Sequence, residues 1–409
     1  MTSIRTILLF LLLVPAGLSA AVIRTGPGSL LQHALDRAQP GDTILVAPGL
    51  YKQHEIVVRT PVTIIGENYP VFDGENKYQI LIVSADKVNI QGITVQNTGR
   101  SSMVDMAGIR LQNVSRVTVS NCRVLNTTYG VYLQGSRFCV IENNEIRSSA
   151  TDELQAGNGV HAWKSDSLLI RNNKISGHRD GIYFEFVTGS AIIGNISTNN
   201  VRYGLHFMFS HNDGYSRNIF RHNGAGVAVM YSKKVVMTGN TFGEHWGDAS
   251  YGILLKDISD SRIEHNNFAH NTIGIFMEGS NRIHVLRNTF NANGWAMRVQ
   301  ASCEGNTIET NNFTENSFDV ATNGTLMLNT WRDNYWDKYE GYDLNRDGTG
   351  DVPYHPVSVY SILSERIPST MILYRSFLTN IIDQAEKIMP SIIPDQLRDD
   401  SPKTKKWKL

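Results

Sequence analysis

Apolar and polar positions alternate along the middle of the chain in short segments typical of β-strands, and a glycine stands at the head of each segment. These glycines are Gly108, Gly130, Gly159, Gly181, Gly204, Gly226, Gly252 and Gly274, at successive steps of 22, 29, 22, 23, 22, 26 and 22 residues. The first and third residues after each glycine are apolar, so they are expected to point inward while the second and fourth point outward. A nearly fixed step over this many segments indicates stacked coils.

A ladder of asparagines runs in phase with the glycines and is expected to close another strand of each coil. Its members are Asn144, Asn173, Asn195, Asn218, Asn240, Asn267, Asn288 and Asn312. Asparagine tolerates left-handed backbone and forms local hydrogen bonds, so asparagines stacked at one corner favour a structural role. The two ladders predict an all-β chain that folds as a right-handed parallel β-helix.

The segments on either side of the coils have different patterns. Residues 34–51 pair a short amphipathic stretch with a strand and a Pro-Gly turn, which predicts a cap over the open N-terminal end. This segment resembles the opening of pectate-lyase-like and carbohydrate-binding β-helices, a resemblance that implies the fold and leaves the function open. After Pro368, Ser369 is expected to begin an amphipathic helix that Pro390 ends. That helix is expected either to pack on the open end of the coils or to dock on a partner.

The first residues of the chain predict a cleavable secretory signal, because Arg5 precedes the apolar run Ile7–Val14 and a group of small residues. Cleavage is expected after Ala21, with Ala20 as the alternative. No later apolar run reaches 18 residues, so no transmembrane span is expected. The formal net charge of +0 and the pI of about 7.2 argue against a nucleic-acid partner.

The cysteines follow no C-x-x-C spacing, so neither a zinc site nor a disulfide framework is predicted for Cys122, Cys139 and Cys303. Together these features divide the chain into a signal (1–21), an N-terminal cap with the first coils (22–100), the repeated coils (101–330), an Asp/Asn-rich region (331–360), and a C-terminal helix with a basic tail for partner docking (361–409).

Two steps of the glycine ladder are longer than the rest and mark insertions of extra chain. Comparison with the asparagine ladder places them in Ser148–Gly157 and Gly243–Ser250, and both leave the same edge of the coils. They are expected to fence the outward strip of the coils headed by Gly181, Gly204 and Gly226. Functional residues concentrate where loops flank a rigid scaffold, so this strip is the candidate site.

The fenced strip carries an unusual set of outward side chains. Met208 and Met230 should be neighbours on adjacent coils, with His206 beside Met208 and His211 on the following turn. Thioether and imidazole groups are soft ligands suited to copper, especially Cu(I). We therefore predict that Met208 and Met230 bind one Cu(I) together with His206 or His211. The alternative is a partly exposed apolar strip that serves protein contact.

A second candidate metal site lies in the Asp/Asn-rich region. Asp343, Asn345, Asp347 and Asp351 place oxygen ligands at intervals around a glycine turn, as at the start of a calcium-binding loop. Tyr354 stands where the closing glutamate of such a loop would be. The segment therefore predicts either a structural calcium site or an Asx-rich turn.

Several motifs resemble the NosD family, the periplasmic maturation proteins of nitrous oxide reductase. They are the runs 301–306 (ASCEGN), 316–324 (NSFDVATNG), 334–343 (NYWDKYEGYD), 371–378 (MILYRSFL) and 389–395 (MPSIIPD). The resemblance covers nearly the whole mature chain and is strongest after residue 290. No motif of the family assigns copper ligands to particular positions here.

The resemblance implies a periplasmic, non-enzymatic protein that works with an ABC-type membrane permease and its cytoplasmic ATPase. It further implies that copper is taken from a small lipoprotein chaperone and passed to nitrous oxide reductase for the copper-sulfide centre. The strip would then be a transfer site, and the terminal helix would dock on the permease.

Two other functions compete with this interpretation. A polysaccharide lyase or epimerase with this fold needs clustered carboxylates or an Arg/Lys base over a groove. The strip offers Glu185 beside thioethers, and the Asp-Pro-His-Asp signature of alginate epimerases is absent. The third interpretation is a structural adaptor that holds no metal.

Overall fold

The computed structural model describes residues 20–324, 328–374, 376–379, 381–382 and 397–409. In these residues the chain winds into a right-handed β-helix whose strands form three parallel sheets of 14, 13 and 12 strands. Most coils contribute one strand to each sheet, and each residue pairs with its equivalent one coil later, as Val119 does with Ile141. The predicted fold class is therefore confirmed. Nearly all of the predicted secretory signal lies outside the described residues.

Sheet A contains Val22–Thr25, Thr43–Val46, Thr63–Gly66, Asn89–Gln91, Thr118–Ser120, Val140–Glu142, Leu169–Arg171, Ala191–Ile193, Gly214–Ser216, Val236–Thr238, Arg262–Glu264, His284–Leu286, Thr307–Glu309 and Thr330–Arg332. Sheet B contains Leu50–Tyr51, Val71–Asp73, Thr94–Gln96, Arg123–Leu125, Glu145–Arg147, Lys174–Ser176, Ile196–Thr198, Ile219–Arg221, Thr241–Gly243, Asn267–Ala269, Thr289–Asn291, Asn312–Thr314 and Tyr335–Trp336. Sheet C contains Ile56–Val58, Leu81–Val83, Ala107–Gln112, Tyr129–Gln134, Val160–Trp163, Asp180–Glu185, Tyr203–Met208, Ala225–Met230, Tyr251–Lys256, Ile273–Glu278, Trp295–Val299 and Phe318–Ala321.

The core runs the length of the solenoid, and like side chains stack on like from coil to coil. In sheet B, Phe242, Phe268, Phe290 and Phe313 are buried with ring centroids 4.8 Å apart at each step, and Trp336 continues the stack at 4.1 Å. Offset stacking of this kind adds to the free energy gained by burying the rings. The repeat therefore stabilises itself through contacts between equivalent positions.

The glycine ladder exists because no side chain fits at its positions. A Cβ atom on Gly204 would lie 2.7 Å from Cδ1 of Phe220 and 2.8 Å from the carbonyl oxygen of Gly226. A Cβ on Gly130 would lie 2.3 Å from the carbonyl oxygen of Gly159. The glycine and the residue after it thus both face the interior, so the residue before the glycine returns to the outer face of sheet C.

The asparagine ladder is present, but two of its predicted members are wrong by one residue. The stacked side chains are those of Asn144, Asn173, Asn195, Asn218, Asn240, Asn266, Asn288, Asn311 and Asn334. From Asn173 onward each accepts a hydrogen bond from the asparagine of the preceding coil, and all of them donate one to a backbone carbonyl, as Asn218 does to Ile192. Asn267 and Asn312 instead begin the strands that follow, because the ladder residue precedes each strand of sheet B by one position.

A short helix, Leu31–Arg37, covers the N-terminal end of the solenoid. Leu31, Ala34 and Leu35 are buried against the first coils, and the Oε1 atom of Gln32 accepts the backbone N–H of Val57 at 2.8 Å. The helix therefore covers apolar side chains and uses an edge N–H that would otherwise be open. This confirms the predicted N-terminal cap.

At the other end, helix Val359–Arg366 is followed by a 3₁₀ helix, Pro368–Leu373. The predicted amphipathic helix from Ser369 therefore starts as a 3₁₀ turn, and most of its remainder up to Pro390 lies outside the described residues. Among the described residues, no helix is long and apolar enough to cross a membrane.

The last residues of the chain, 397–409, pack against the final coil of the same chain. The buried carboxylate of Asp399 accepts hydrogen bonds from Nδ2 of Asn334 at 2.9 Å and from Nε1 of Trp336 at 3.1 Å. Asp399 thereby continues the asparagine ladder by one more step. The indole N–H of Trp407 donates to the carbonyl of Asp333 at 2.8 Å. The basic tail thus caps the end of its own solenoid, and its docking on a partner stays a prediction.

Candidate metal site on the outer face of sheet C

The outward rows of sheet C have the register that the glycine ladder predicted. Met208 pairs with Met230 on the next coil and with Glu185 on the preceding coil. Two residues earlier on the same strand, His206 pairs with Tyr183 and Ala228. His206 and Met208 therefore share one face of the strand, because alternate residues of a strand point to the same side. Met208 and Met230 are both partly buried.

A ladder of aromatic and imidazole rings lies along the same face. Ring centroids are 4.6 Å apart for Tyr132 and His161, 4.9 Å for His161 and Tyr183, and 5.0 Å for Tyr183 and His206. Burial lowers the pKa of His161 to about 3, so its imidazole is neutral. The ladder therefore presents packed, mostly uncharged rings that lead toward the methionine pair.

A buried carboxylate holds the last ring of this ladder in place. Asp180 is fully buried, and its carboxylate receives the guanidinium of Arg202, with Nη2 2.6 Å from Oδ2 and Nε 2.9 Å from Oδ1. Nδ1 of His206 lies 3.5 Å from the same carboxylate and 3.4 Å from Arg202. Although burial opposes ionisation, the hydrogen bonds from Arg202 and His206 bring the pKa of Asp180 down to about 2. Asp180 is therefore ionised at neutral pH.

The second ring nitrogen of His206 is in a different situation. Nε2 is buried and has no hydrogen-bond partner among the described residues. The rings of Tyr183 and Tyr203 lie 5.0 Å and 4.9 Å from the imidazole. If Nδ1 carries the proton that faces Asp180, Nε2 has a free lone pair. A carboxylate behind the distal nitrogen is the usual orientation of a histidine that binds a metal.

The corner that follows the methionine strands is built from exposed aromatic residues in left-handed backbone. Phe186, Phe209 and Tyr231 have φ values of 54°, 49° and 52°, and their rings stack at 5.2 Å and 4.9 Å. A bulky residue in this conformation costs about 1–2 kcal/mol. The equivalent corner positions of the flanking coils are Lys164 and Asp257. The strained aromatic corner is thus confined to the coils that carry Glu185, Met208 and Met230.

The remaining histidines near the strip have separate positions. His211 stands beyond the corner, in a row of backbone bridges between Thr188 and Lys233. Its pKa is lowered, mainly by burial and secondarily by the charge of Lys233. His245, in the second long loop, is fully buried, and its Nδ1 lies 2.7 Å from Oδ1 of Asn271. Asn271 belongs to a second, interior ladder of asparagines, because its Nδ2 donates to the asparagine of the next coil at 3.0 Å. His245 takes the place of an asparagine in this second ladder and does not face the strip.

Both predicted loops are present at the expected edge, between sheet B and sheet C. The first carries the 3₁₀ turn Glu153–Gln155, and Oε1 of Glu153 lies 3.2 Å from Nη1 of Arg202, so this loop reaches over the strip. A third loop at the same edge, residues 99–106, was not predicted. Nη1 of Arg100 in this loop lies 3.1 Å from Oε1 of Gln155, which joins the two loops.

No three His, Cys, Asp or Glu side chains of the described residues come together in a metal-binding arrangement. A copper site on this face would therefore need the thioether groups of methionine as ligands, in addition to histidine. The structure brings Met208 and Met230 into register, places His206 on their face and places His211 one corner away. The copper ligand set remains a prediction.

In the Asp/Asn-rich region, the side-chain oxygens accept backbone N–H groups of their own turn. Asp343 accepts the N–H groups of Asp347 and Gly348 at 3.1 Å and 2.9 Å, and Asp351 accepts that of Leu344 at 2.7 Å. Asn345 also accepts the N–H of Asp347, at 3.0 Å. These contacts describe an Asx-rich turn, and calcium binding to it stays a prediction.

Sequence reasoning missed Asp180 and Arg202, which orient His206. A signal was available, because at several ladder glycines the residue before the glycine contacts the residue two positions after the glycine. Tyr203 with His206 and Asn158 with His161 show the same three-residue spacing. If side chains alternated strictly between inside and outside, the residue before the glycine would point inward. The glycine itself faces the interior, so the residue before it points outward and can make this contact.

The chain resembles two protein families and several individual proteins. The profile of the family described as "Periplasmic copper-binding protein (NosD)" matches residues 147–341, which include the methionine strip and end before Asp343. A profile described as "Right handed beta helix region" matches residues 68–167.

Two relatives carry the name "Probable ABC transporter binding protein NosD". The protein from Stutzerimonas stutzeri is 28% identical, over 86% of this chain and 84% of its own length. The protein from Pseudomonas aeruginosa PAO1 is 26% identical, over 95% of this chain and 97% of its own length.

Solved structures share the fold at low sequence identity. The catalytic unit of a GH87 alpha-1,3-glucanase from Streptomyces thermodiastaticus has a TM-score of 0.56 at 14% identity, over 79% of this chain and 67% of the glucanase chain. PfbA, a surface adhesin of Streptococcus pneumoniae, has a TM-score of 0.53 at 12% identity, over 74% of this chain and 86% of PfbA. An enzyme and an adhesin with the same architecture show that the fold alone does not decide function.

Proposed function

We propose that this chain, a NosD-type β-helix protein, is a non-enzymatic periplasmic accessory protein that carries copper as cargo for the maturation of nitrous oxide reductase. It receives Cu(I) from a small lipoprotein chaperone and delivers it for assembly of the copper-sulfide centre, while attached to an ABC-type permease with a cytoplasmic ATPase. The description of the matching family as periplasmic and copper-binding, and the names of the two relatives, support this proposal.

The observation that carries the proposal is the alignment of Met208 with Met230 on adjacent coils of one outward face. Two thioethers at the spacing of neighbouring strands can bind one soft ion, and thioether ligands favour Cu(I) over hard cations such as Mg²⁺ or Ca²⁺. Both side chains are partly exposed, so a partner can deliver and remove the ion. A transfer site needs that access.

The third ligand is His206 or His211. His206 has the features of an oriented ligand, because Asp180 stands behind Nδ1 and Nε2 has no hydrogen-bond partner among the described residues. Its Nε2 atom is enclosed, so binding requires Tyr183 or Tyr203 to move. His211 is more accessible but lies beyond the corner. Separate His206→Ala and His211→Ala variants decide between them, since only the ligand's loss lowers Cu(I) affinity.

The same geometry argues against glycan chemistry at the strip. A lyase, epimerase or hydrolase needs a carboxylic acid or base whose pKa is near the working pH. Asp180 is held by Arg202 with its pKa at about 2, so it cannot act as a proton donor. We therefore infer that the chain is an accessory protein, although polysaccharide enzymes share its fold.

The C-terminal segment is the proposed docking surface for the permease. Ile372 is 89% exposed and Phe377 is 79% exposed, and Leu378 and Ile381 are about half exposed. Large apolar side chains grouped on one exposed segment are typical of protein interaction sites. The residues 397–409 pack on the final coil.

Copper transfer tests the proposal directly. The chaperone loaded with Cu(I) is mixed with the copper-free mature chain, the two are separated by size, and copper is measured in each. The proposal predicts that copper moves to this chain, and that an Ile372→Ser, Phe377→Ser variant accepts copper normally but no longer co-purifies with the permease. Leu154→Ser, which changes a loop side chain that is 94% exposed, is the matched control. Copper that stays on the chaperone would contradict the proposal.

A further inference from the structure

A polar pocket of about 240 Å³ lies at the edge between sheet B and sheet C, apart from the methionine pair. Its walls come from the loop of residues 99–106, from the first long loop and from the coil corners beneath them. The lining includes Thr98, Arg100, Thr127, Thr128, Ser149 and His178. The first long loop therefore forms part of this pocket, in addition to reaching over the methionine strip.

The walls of this pocket are held together by hydrogen bonds. The hydroxyl of Thr128 donates to the carbonyl of Gly99 at 2.9 Å, and the backbone N–H of Thr128 donates to Oγ1 of Thr98 at 2.8 Å. Nη1 of Arg100 donates to Oε1 of Gln155 at 3.1 Å, which joins the two loops at the mouth. The pocket is therefore a built cavity and not a gap between independent loops.

Two deeply buried polar side chains in the lining lack a strong hydrogen-bond partner within the described part of the chain. Thr127 is 2% exposed and His178 is 1% exposed. Oγ1 of Thr127 has no hydrogen-bond partner among the described residues, and the ring of His178 has only a weak contact with the backbone of Thr128. Burial lowers the pKa of His178 to about 4, so the ring is neutral and offers one N–H donor. Buried polar groups without partners cost free energy, and a bound ligand removes that cost.

The charges and groups of the lining select the kind of ligand. Arg100 is the only charged side chain in the lining at neutral pH, and the rest are hydroxyl, amide, small and neutral imidazole groups. A guanidinium with several hydroxyl donors and no carboxylate suits an oxyanion, because the oxygens of an oxyanion mainly accept hydrogen bonds. Amide oxygens in the lining could accept hydrogen bonds from a sugar, but the lining has no carboxylate and no Phe, Tyr or Trp side chain on which a sugar ring could pack.

We propose that this pocket binds a small oxyanion of the phosphate or sulfate type, with Arg100 as its charge partner and Thr127 and His178 as hydrogen-bond donors. The site is independent of copper binding, so it can be tested whether or not the copper proposal holds. The volume accommodates a tetrahedral oxyanion together with several waters, at about 30 Å³ for each water.

Titration calorimetry of the full mature chain with inorganic phosphate and with sodium sulfate, at constant ionic strength in chloride, tests the proposal. We expect saturable binding of one anion per chain. Arg100→Gln should weaken binding about tenfold or more, because a hydrogen bond to a charged group contributes roughly 1.5–3 kcal/mol. Thr127→Val keeps the shape of the side chain without its hydroxyl and should weaken binding about three- to tenfold.

Arg59→Gln is the matched control, because Arg59 is an exposed arginine that does not line the pocket. It should bind the anion as the wild-type chain does, which excludes a general effect of charge. The proposal is overturned if neither anion gives saturable heat. It is equally overturned if both Arg100→Gln and Thr127→Val, folded by circular dichroism, bind with unchanged affinity.

Discussion

Asp213 occupies a buried position of its coil at which the neighbouring coils carry neutral side chains. Its Oδ1 atom accepts the backbone N–H of Ser190 at 2.7 Å, whereas Oδ2 is buried without a partner among the described residues. The equivalent residues Ser261 and Asn306 make the same contact to the preceding coil, at 3.0 Å and 2.8 Å. Burial raises the pKa of Asp213 from 3.8 to about 7. Asp213→Asn should therefore stabilise the fold at neutral pH.

The magnitude follows from the two pKa values. In the unfolded chain the carboxyl loses its proton near pH 3.8, while in the folded chain it keeps the proton until about pH 7. Stability from this group is thus complete below the unfolded pKa and declines as pH rises toward the folded pKa. At about 1.4 kcal/mol for each pKa unit, the folded state loses roughly 4 kcal/mol by about pH 8. The asparagine variant has no such loss, and its amide oxygen can still accept the N–H of Ser190.

Denaturant unfolding of the wild-type chain and of Asp213→Asn, at about pH 4 and at about pH 8, measures this difference. The two proteins should be nearly equally stable at the lower pH, and the variant should be more stable by a few kcal/mol at the higher pH. Asp260→Asn is the control of opposite sign. Hydrogen bonds from exposed Arg282 lower the pKa of Asp260 to about 2, so its removal should not stabilise the fold at the higher pH. Parallel pH dependence of the wild-type chain and Asp213→Asn would refute the reasoning.

Three further predictions concern the ladders and the acidic turn. Gly204→Ala should lower the free energy of unfolding by roughly 2–3 kcal/mol, because its Cβ would overlap Phe220 and a backbone carbonyl. Gly214→Ala, whose nearest neighbour would be 3.6 Å away, should leave denaturant unfolding nearly unchanged, and equal losses would refute the packing argument. Asn266→Ala should cost roughly 2–4 kcal/mol, since it removes the oxygen that accepts the backbone N–H and the Nδ2 group of Asn240 and the amide that donates to the carbonyl of Met237, while exposed Asn267→Ala should change little. The reverse order in thermal melts would show that the ladder has been assigned to the wrong residues. Calcium should raise the melting temperature of the wild-type chain and not that of Asp343→Ala, and no shift in the wild-type chain would exclude a calcium site.

Much of the fold could be predicted because a solenoid repeats the same strands and corners in every coil. The step between glycines determined which outward residues meet, and Met208 lies against Met230 for that reason. The two long steps likewise located both predicted loops. Repetition converts sequence spacing directly into spatial contact.

The two errors in the asparagine ladder arise where two adjacent asparagines both fit the spacing of the repeat. Both misassigned asparagines belong to Asn-Asn pairs, and the wrong member was chosen in Asn266-Asn267 and Asn311-Asn312. The glycine step could have decided one of them. Gly226 to Gly252 is 26 residues, and Asn240 to Asn266 is also 26, because both ladders follow the same coil.

The candidate site was predicted only in part, because its orienting groups depend on a local departure from alternation. The ladder glycine turns inward, so Asp180 returns to the outer face and reaches His206 on the next coil. The interior position of His245 was equally hidden, since an imidazole there substitutes for an asparagine of a ladder that the sequence did not reveal. Contacts between coils, rather than residue types, decide these roles.

Copper binding by the methionine pair is tested by the affinity of the mature chain for Cu(I), measured anaerobically against a competing chromophoric chelator. A Met208→Leu, Met230→Leu variant keeps the apolar volume and removes both thioethers. Met103→Leu is the matched control, because Met103 is 91% exposed on the loop of residues 99–106. If Met208 and Met230 are the ligands, the wild-type chain and the control bind one Cu(I) with equal affinity and the double variant loses this binding. Unchanged Cu(I) stoichiometry and affinity in the double variant would contradict this assignment.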